Sequence, residues 1–65
     1  MEYRVDLYAA GDVWRRTERF VARHEVEAVT TARGLIVAHG LDRARVWSTD
    51  GAGQLQHVEW VEAER

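Results

Sequence analysis

The side chains best equipped for chemistry here are three histidines, a lone serine, two close pairs of glutamates and a short glycine run. His24, His39 and His57 never recur at the i, i+4 spacing that sets two metal ligands on one helix face. Cysteine is absent, so disulfides, thiolate zinc sites and thiol nucleophiles are excluded. A metal centre is not expected, and His24 and His39 read as polar residues at the ends of a helix. Ser48 falls in a strand-like segment without the glycine-flanked elbow that exposes a nucleophile. Glu25 and Glu27 suit a helix start, where the dipole favours negative charge, and Glu62 and Glu64 sit in the tail. Gly51-Ala52-Gly53 joins two strand-like segments rather than a strand and a helix, so it reads as a hairpin turn and not a phosphate loop. A domain with one helix also has little room for a ligand pocket of ~300 Å³ or more. Neither catalysis nor a cofactor is expected.

Arginine and aromatic residues carry the stronger signal. Arg4, Tyr8, Arg15, Arg19, Arg45, Trp47, Leu55 and His57 fall, with Thr17, on one side of the expected sheet. Protein interfaces enrich arginine and aromatic residues, and platforms for single-stranded nucleic acid use the same types for phosphates and base stacking. The plainer account is an amphipathic face whose arginine stems cover a few exposed rings. Trp47 beside Leu55 is harder to explain that way, because together they form a patch.

These side chains must be positioned by an expected strand–strand–helix–strand–strand order. Tyr3, Val5, Leu7 and Ala9 alternate with Glu2, Arg4, Asp6 and Tyr8, the period of a half-buried strand. Ala10-Gly11-Asp12 supplies turn chemistry, and Val13–Val21 reads as a second strand. From about His24, the residues Ala28, Val29, Ala32, Leu35, Ile36 and His39 form one helical stripe, and Gly40 can cap it in the left-handed conformation. Gly34 weakens that helix by about 1 kcal/mol relative to alanine. Leu41–Thr49 and Gln54–Glu62 then form a second hairpin. The fold class is α+β: a four-stranded, mostly antiparallel sheet in ββαββ order with one helix on one face.

Register decides which residues share a face, since a slip of one residue exchanges the two sides of a strand. In the second hairpin, a three-residue loop Gly51-Ala52-Gly53 pairs Val46 with Val58, Ala44 with Trp60, Trp47 with His57 and Arg45 with Glu59. That register points Trp60 at the helix and Trp47 away from it. In the first hairpin, a two-residue Gly11-Asp12 turn pairs Tyr3 with Phe20 and Ala9 with Trp14. It leaves Arg16 and Glu18 on the helix side, where they must pair at the sheet edge. The competing register, slipped by one, pairs Tyr8 with Trp14 and Arg4 with Glu18.

The 65 residues suffice for a single domain, with residues 61–65 expected to fray. A domain of this size buries only about 60% of its unfolded surface, which makes association an attractive supplement. Nine arginines and no lysine, with abundant alanine and valine, fit a GC-rich bacterial or phage genome. No charged-then-apolar leader opens the chain and no membrane-length apolar run occurs, so a cytoplasmic location without membrane contact is expected. A net charge of −2 argues against a general nucleic-acid binder. The stretch Phe20–Ala28 followed by Ala32, about a fifth of the chain, resembles the helix starts of sporulation-related repeat domains and of integrase arm-binding domains. The resemblance carries over no functional residue. The expectation is a small protein-interaction module, a homodimer burying its uncovered sheet face or an edge strand and serving as a regulator or inhibitor. The alternative is a single-stranded nucleic-acid-binding domain using the same face.

Overall fold

A computed structural model of the chain describes residues 1–63. It contains β1 (Glu2–Ala9), β2 (Val13–Val21), α1 (Glu25–His39), β3 (Arg43–Thr49) and β4 (Leu55–Glu62). The strands form one sheet in the order β2-β1-β3-β4, and every neighbouring pair is antiparallel. The small α+β architecture read from the two periodicities is the one observed. No helix among the described residues is long and apolar enough to cross a membrane.

Strand β1 is central, and its alternation separates two environments. Tyr3, Val5 and Leu7 are buried under α1 with Ala44, Val46 and Val61. From the helix come Ala28, Ala32 and Ile36, whose two alanines let the helix approach the sheet closely. Val29 and Leu35 pack on this core half-buried, whereas His39, at the stripe's end, reaches Arg16 at 3.2 Å on the sheet edge. The helix ends follow their residues. His24 is extended and accepts the Glu27 N–H at Nδ1 over 3.3 Å. Gly40 takes φ 63°, and the Leu41 N–H closes onto the Ile36 carbonyl at 2.9 Å.

Both hairpins contain an irregularity that periodicity does not foresee. In the first, Tyr3 pairs with Phe20 and Leu7 with Arg16, as the preferred register requires. The register then shifts and skips Arg15, so that Tyr8 pairs with Trp14 and Ala9 with Val13. Each of the two competing registers therefore holds over part of the hairpin, and the pairing of Ala9 with Trp14 does not form. The loop is three residues, Ala10 to Asp12, with Gly11 at φ 79° and Asp12 at φ 57°. Arg16 and Glu18 do lie on the helix side and pair with each other at 2.7 Å.

In the second hairpin the loop is as expected, with Gly53 at φ 81° and Trp47 opposite His57. A shift between Val46 and Trp47 then overturns the rest of that register. Val46 faces Glu59, Arg45 faces Trp60 and Ala44 faces Val61. Val61, 1% exposed, occupies the core position expected for Trp60, and Val58 packs half-buried beside it. A helix held close by Ala28 and Ala32 leaves space for a valine rather than an indole. Nor does the chain fray at residue 61: β4 runs to Glu62, and the Ala63 N–H bonds the Asp42 carbonyl at 2.9 Å. Glu64 and Arg65 lie outside the described residues.

Candidate functional site

The two shifts bring Trp14 and Trp60 to the side of the sheet that α1 leaves open, where Trp47 stands as expected. That side can be read in rows across β2, β1, β3 and β4. The first row is Trp14, Tyr8, Arg43 and Glu62; the second is Thr17, Asp6, Arg45 and Trp60. The third is Arg19, Arg4, Trp47 and His57, and beyond it lie Val21, Glu2, Thr49 and Leu55.

Asp6 organises the face. It is 7% exposed although it points away from the helix, because long side chains close over it. One carboxylate oxygen, Oδ1, accepts from the Thr17 hydroxyl at 2.7 Å and from Arg4 Nε at 3.2 Å. The other, Oδ2, accepts from the Trp47 indole N–H at 3.0 Å. Trp14 joins the same network, its indole N–H donating to Thr17 Oγ1 at 3.1 Å. A buried carboxylate is tolerable when hydrogen bonds to its charged form replace water, and Asp6 has three such donors.

Two arginines cover the rings. The Arg45 guanidinium lies 4.0 Å from the centre of Trp47 and 5.3 Å from that of Trp60, while its Nε donates to His57 Nδ1 at 3.0 Å. Arg43 lies 4.0 Å over Trp60 and bridges Asp12 at 2.9 Å and Glu62 at 3.2 Å. Tyr8 packs against Trp60 with ring centres 5.5 Å apart. A planar guanidinium suits this role, since it stacks on a ring and still donates at its rim.

Of the eight residues expected on this face, Arg4, Tyr8, Arg19, Arg45, Trp47, Leu55 and His57 are there. Arg15 is not part of the rows. It occupies the bulge and lines a depression with Arg16, His39, Gly40 and Leu41 at the end of α1. Arg4, Arg19 and Leu55 meet Glu2, Thr49 and Gly53 around a shallow cavity of about 290 Å³. Sequence reasoning missed Trp14, Trp60, Arg43 and Asp6. A signal for Trp60 is present: the apolar residues Val58 and Val61 stand three apart, which an unbroken strand cannot place on one face. The three histidines sit at the helix start, the helix end and on β4, and no group of three or more potential ligands among the described residues could hold a metal.

Comparison of the chain with protein-family models, with curated proteins and with solved structures finds no match.

Proposed function

We propose that this chain is a small, non-catalytic protein-interaction module that self-associates through the open face of its sheet. One observation carries the reading: all three tryptophans lie on the side that the only described helix leaves uncovered. Trp14, Leu55 and Trp60 keep 57%, 40% and 37% of their surface exposed, so a partner would gain apolar contact there. Asp6 holds Trp47 and Thr17 in place beforehand, which lowers the ordering cost of docking. In a two-fold contact the same surface meets itself. Arg4 and Arg19 would then meet carboxylates such as Glu2 and Glu62 across it. Such a module would act as a regulator or inhibitor in the cytoplasm of a bacterium or of a phage-infected cell.

The arrangement favours a protein partner over single-stranded nucleic acid. Bases stack on free ring faces, and here Arg45 and Arg43 already occupy faces of Trp47 and Trp60. Sedimentation equilibrium over the micromolar range tests the reading. Self-association should weaken by about 2 kcal/mol or more in Trp60→Ala, the scale of an aromatic hot spot. A parent protein that sediments as a monomer throughout, yet changes its tryptophan fluorescence with an oligonucleotide at low salt, would overturn it in favour of nucleic acid.

A further inference from the structure

We infer that the free edge of β2 is a second self-association site, where two copies pair antiparallel about Thr17. This contact shares Trp14 and Arg19 with the open face but is made by the strand edge, and it does not depend on the face contact. In the sheet order β2-β1-β3-β4, β1 is the only neighbour of β2 among the described residues. Strand β2 has nine residues, so a row of its backbone N–H and C=O groups has no ladder partner. Proteins blunt such an edge with charged residues, above all lysine, with proline, with bulges, with inward-pointing charges or with a covering helix. Here the Arg15 bulge and the inward charges of Arg16 and Glu18 are present, but those charges are opposite in sign. Lysine and proline are absent, and α1 packs over β3, β4 and β1.

The residues of this edge are self-complementary. Val13-Trp14-Arg15-Arg16-Thr17-Glu18-Arg19-Phe20-Val21 reads nearly alike from either end. Antiparallel pairing about Thr17 sets it opposite Thr17 of the second copy, and sets Arg16 opposite Glu18 on both sides of the axis. The bulge takes up Arg15. Trp14 then falls opposite Arg19 of the second copy, and Val13 opposite its Phe20. Arg16, Glu18, Phe20 and Val13 belong to the helix side, and Thr17, Arg19 and Trp14 to the open side, so every pair keeps to one face.

Threonine against threonine, opposite charges, a cation on an indole and two apolar side chains are all favourable neighbours in a ladder. Arg16 and Glu18, which pair with each other at 2.7 Å within one copy, would exchange that contact for the one across the axis, and the flanking groups are available. Arg19 makes no ion pair or hydrogen bond among the described residues. Val13 and Trp14 are 51% and 57% exposed. The other edge, β4, lacks this symmetry: its Glu59 and Glu62 have no arginine within the strand to oppose them.

Pairing at β2 would make an eight-stranded sheet whose open faces run on from one copy to the next. The face contact could then join two such dimers into a tetramer.

Charge variants test the edge in a Trp60→Ala background, which weakens the face contact. Arg16→Glu alone sets two carboxylates against each other across the contact, and Glu18→Arg alone sets two guanidinium groups together. Sedimentation velocity should show the background protein as a dimer and each charge variant at least tenfold weaker. An equimolar mixture of the two variants should restore the dimer, because opposite charges then meet at both positions. Both variants lose their own pairing of residues 16 and 18, so recovery on mixing can come only from contact between copies.

A mixture no tighter than its components overturns the inference. So does a Trp60→Ala protein that is monomeric while the parent associates, an outcome that leaves the face reading standing. If Trp60→Ala leaves association unchanged and the charge variants abolish it, the edge stands and the face reading fails.

Discussion

The two sides of β1 face different kinds of interior. Tyr3, Val5 and Leu7 look toward alanines, valines and Ile36, a core held by apolar area. Arg4, Asp6 and Tyr8 look toward indoles and guanidinium groups tied together by directional bonds. On the covered side Ala28, Ala32 and Ala44 let the helix lie close, and Tyr3 and Phe20 pack in the same core. The three indoles lie on the other side, with the Asp6 carboxylate among them. An open sheet face can therefore be ordered without being covered, and here the order comes from Asp6.

The comparison breaks most clearly at Leu7. This side chain is fully buried beneath the helix. Leu7→Ala should cost about 2–5 kcal/mol, the range for buried leucine truncation. A 65-residue domain has little stability to spare. Thermal unfolding followed by far-ultraviolet circular dichroism should show a large fall in Tm or loss of the cooperative transition. A loss no greater than that of an open-side variant would mean that the covered side does not dominate the fold.

Asp6→Ala is the open-side counterpart, with a smaller expected effect. It removes the acceptor of the Trp47 N–H and of the Thr17 hydroxyl, at a cost of about 1–3 kcal/mol where such groups stay shielded from water. Asp6→Asn keeps one acceptor oxygen and should lose less. Near-ultraviolet circular dichroism should report released indoles in Asp6→Ala while the far-ultraviolet spectrum stays native. If the indole signal is unchanged, Asp6 is not what orders this face.

Which parts of this are legible in the sequence follows from where a period holds. Strict alternation from Tyr3 to Leu7 locates the core side of β1, and the stripe through Ala28, Ala32 and Ile36 locates that of α1. Gly40 and Gly53 mark a helix end and a turn because both take positive φ. The bulge at Arg15 is not legible, since one extra residue leaves no mark in composition, and the second is marked only by Val58 and Val61 standing three apart. Past Arg15 and Val58, each period-two argument assigns the wrong side, which is why it places Trp14 and Trp60 toward the helix. Asp6 is hidden for another reason. A carboxylate at an outward position of a strand looks like any solvated residue, and its burial arises from β2 and β3 closing over it.

The finest distinction is whether the stacked guanidinium groups contribute to the open side or merely rest on it. Arg45 lies over Trp47, reaches Trp60 and donates to His57, whereas Arg19 has no such partner among the described residues. Lysine keeps the charge but loses both the plane that stacks and the Nε that donates. Arg45→Lys should therefore cost about 0.5–1 kcal/mol, the scale of a cation–π contact at an exposed site. Arg19→Lys should stay within about 0.5 kcal/mol of the parent, as surface changes without a specific contact do. Urea unfolding of the two variants side by side, followed by tryptophan fluorescence, measures the difference. Equal midpoints would reduce the Arg45 stack to a surface contact of no consequence and leave the carboxylate of Asp6 as the one feature separating this face from an ordinary solvated one.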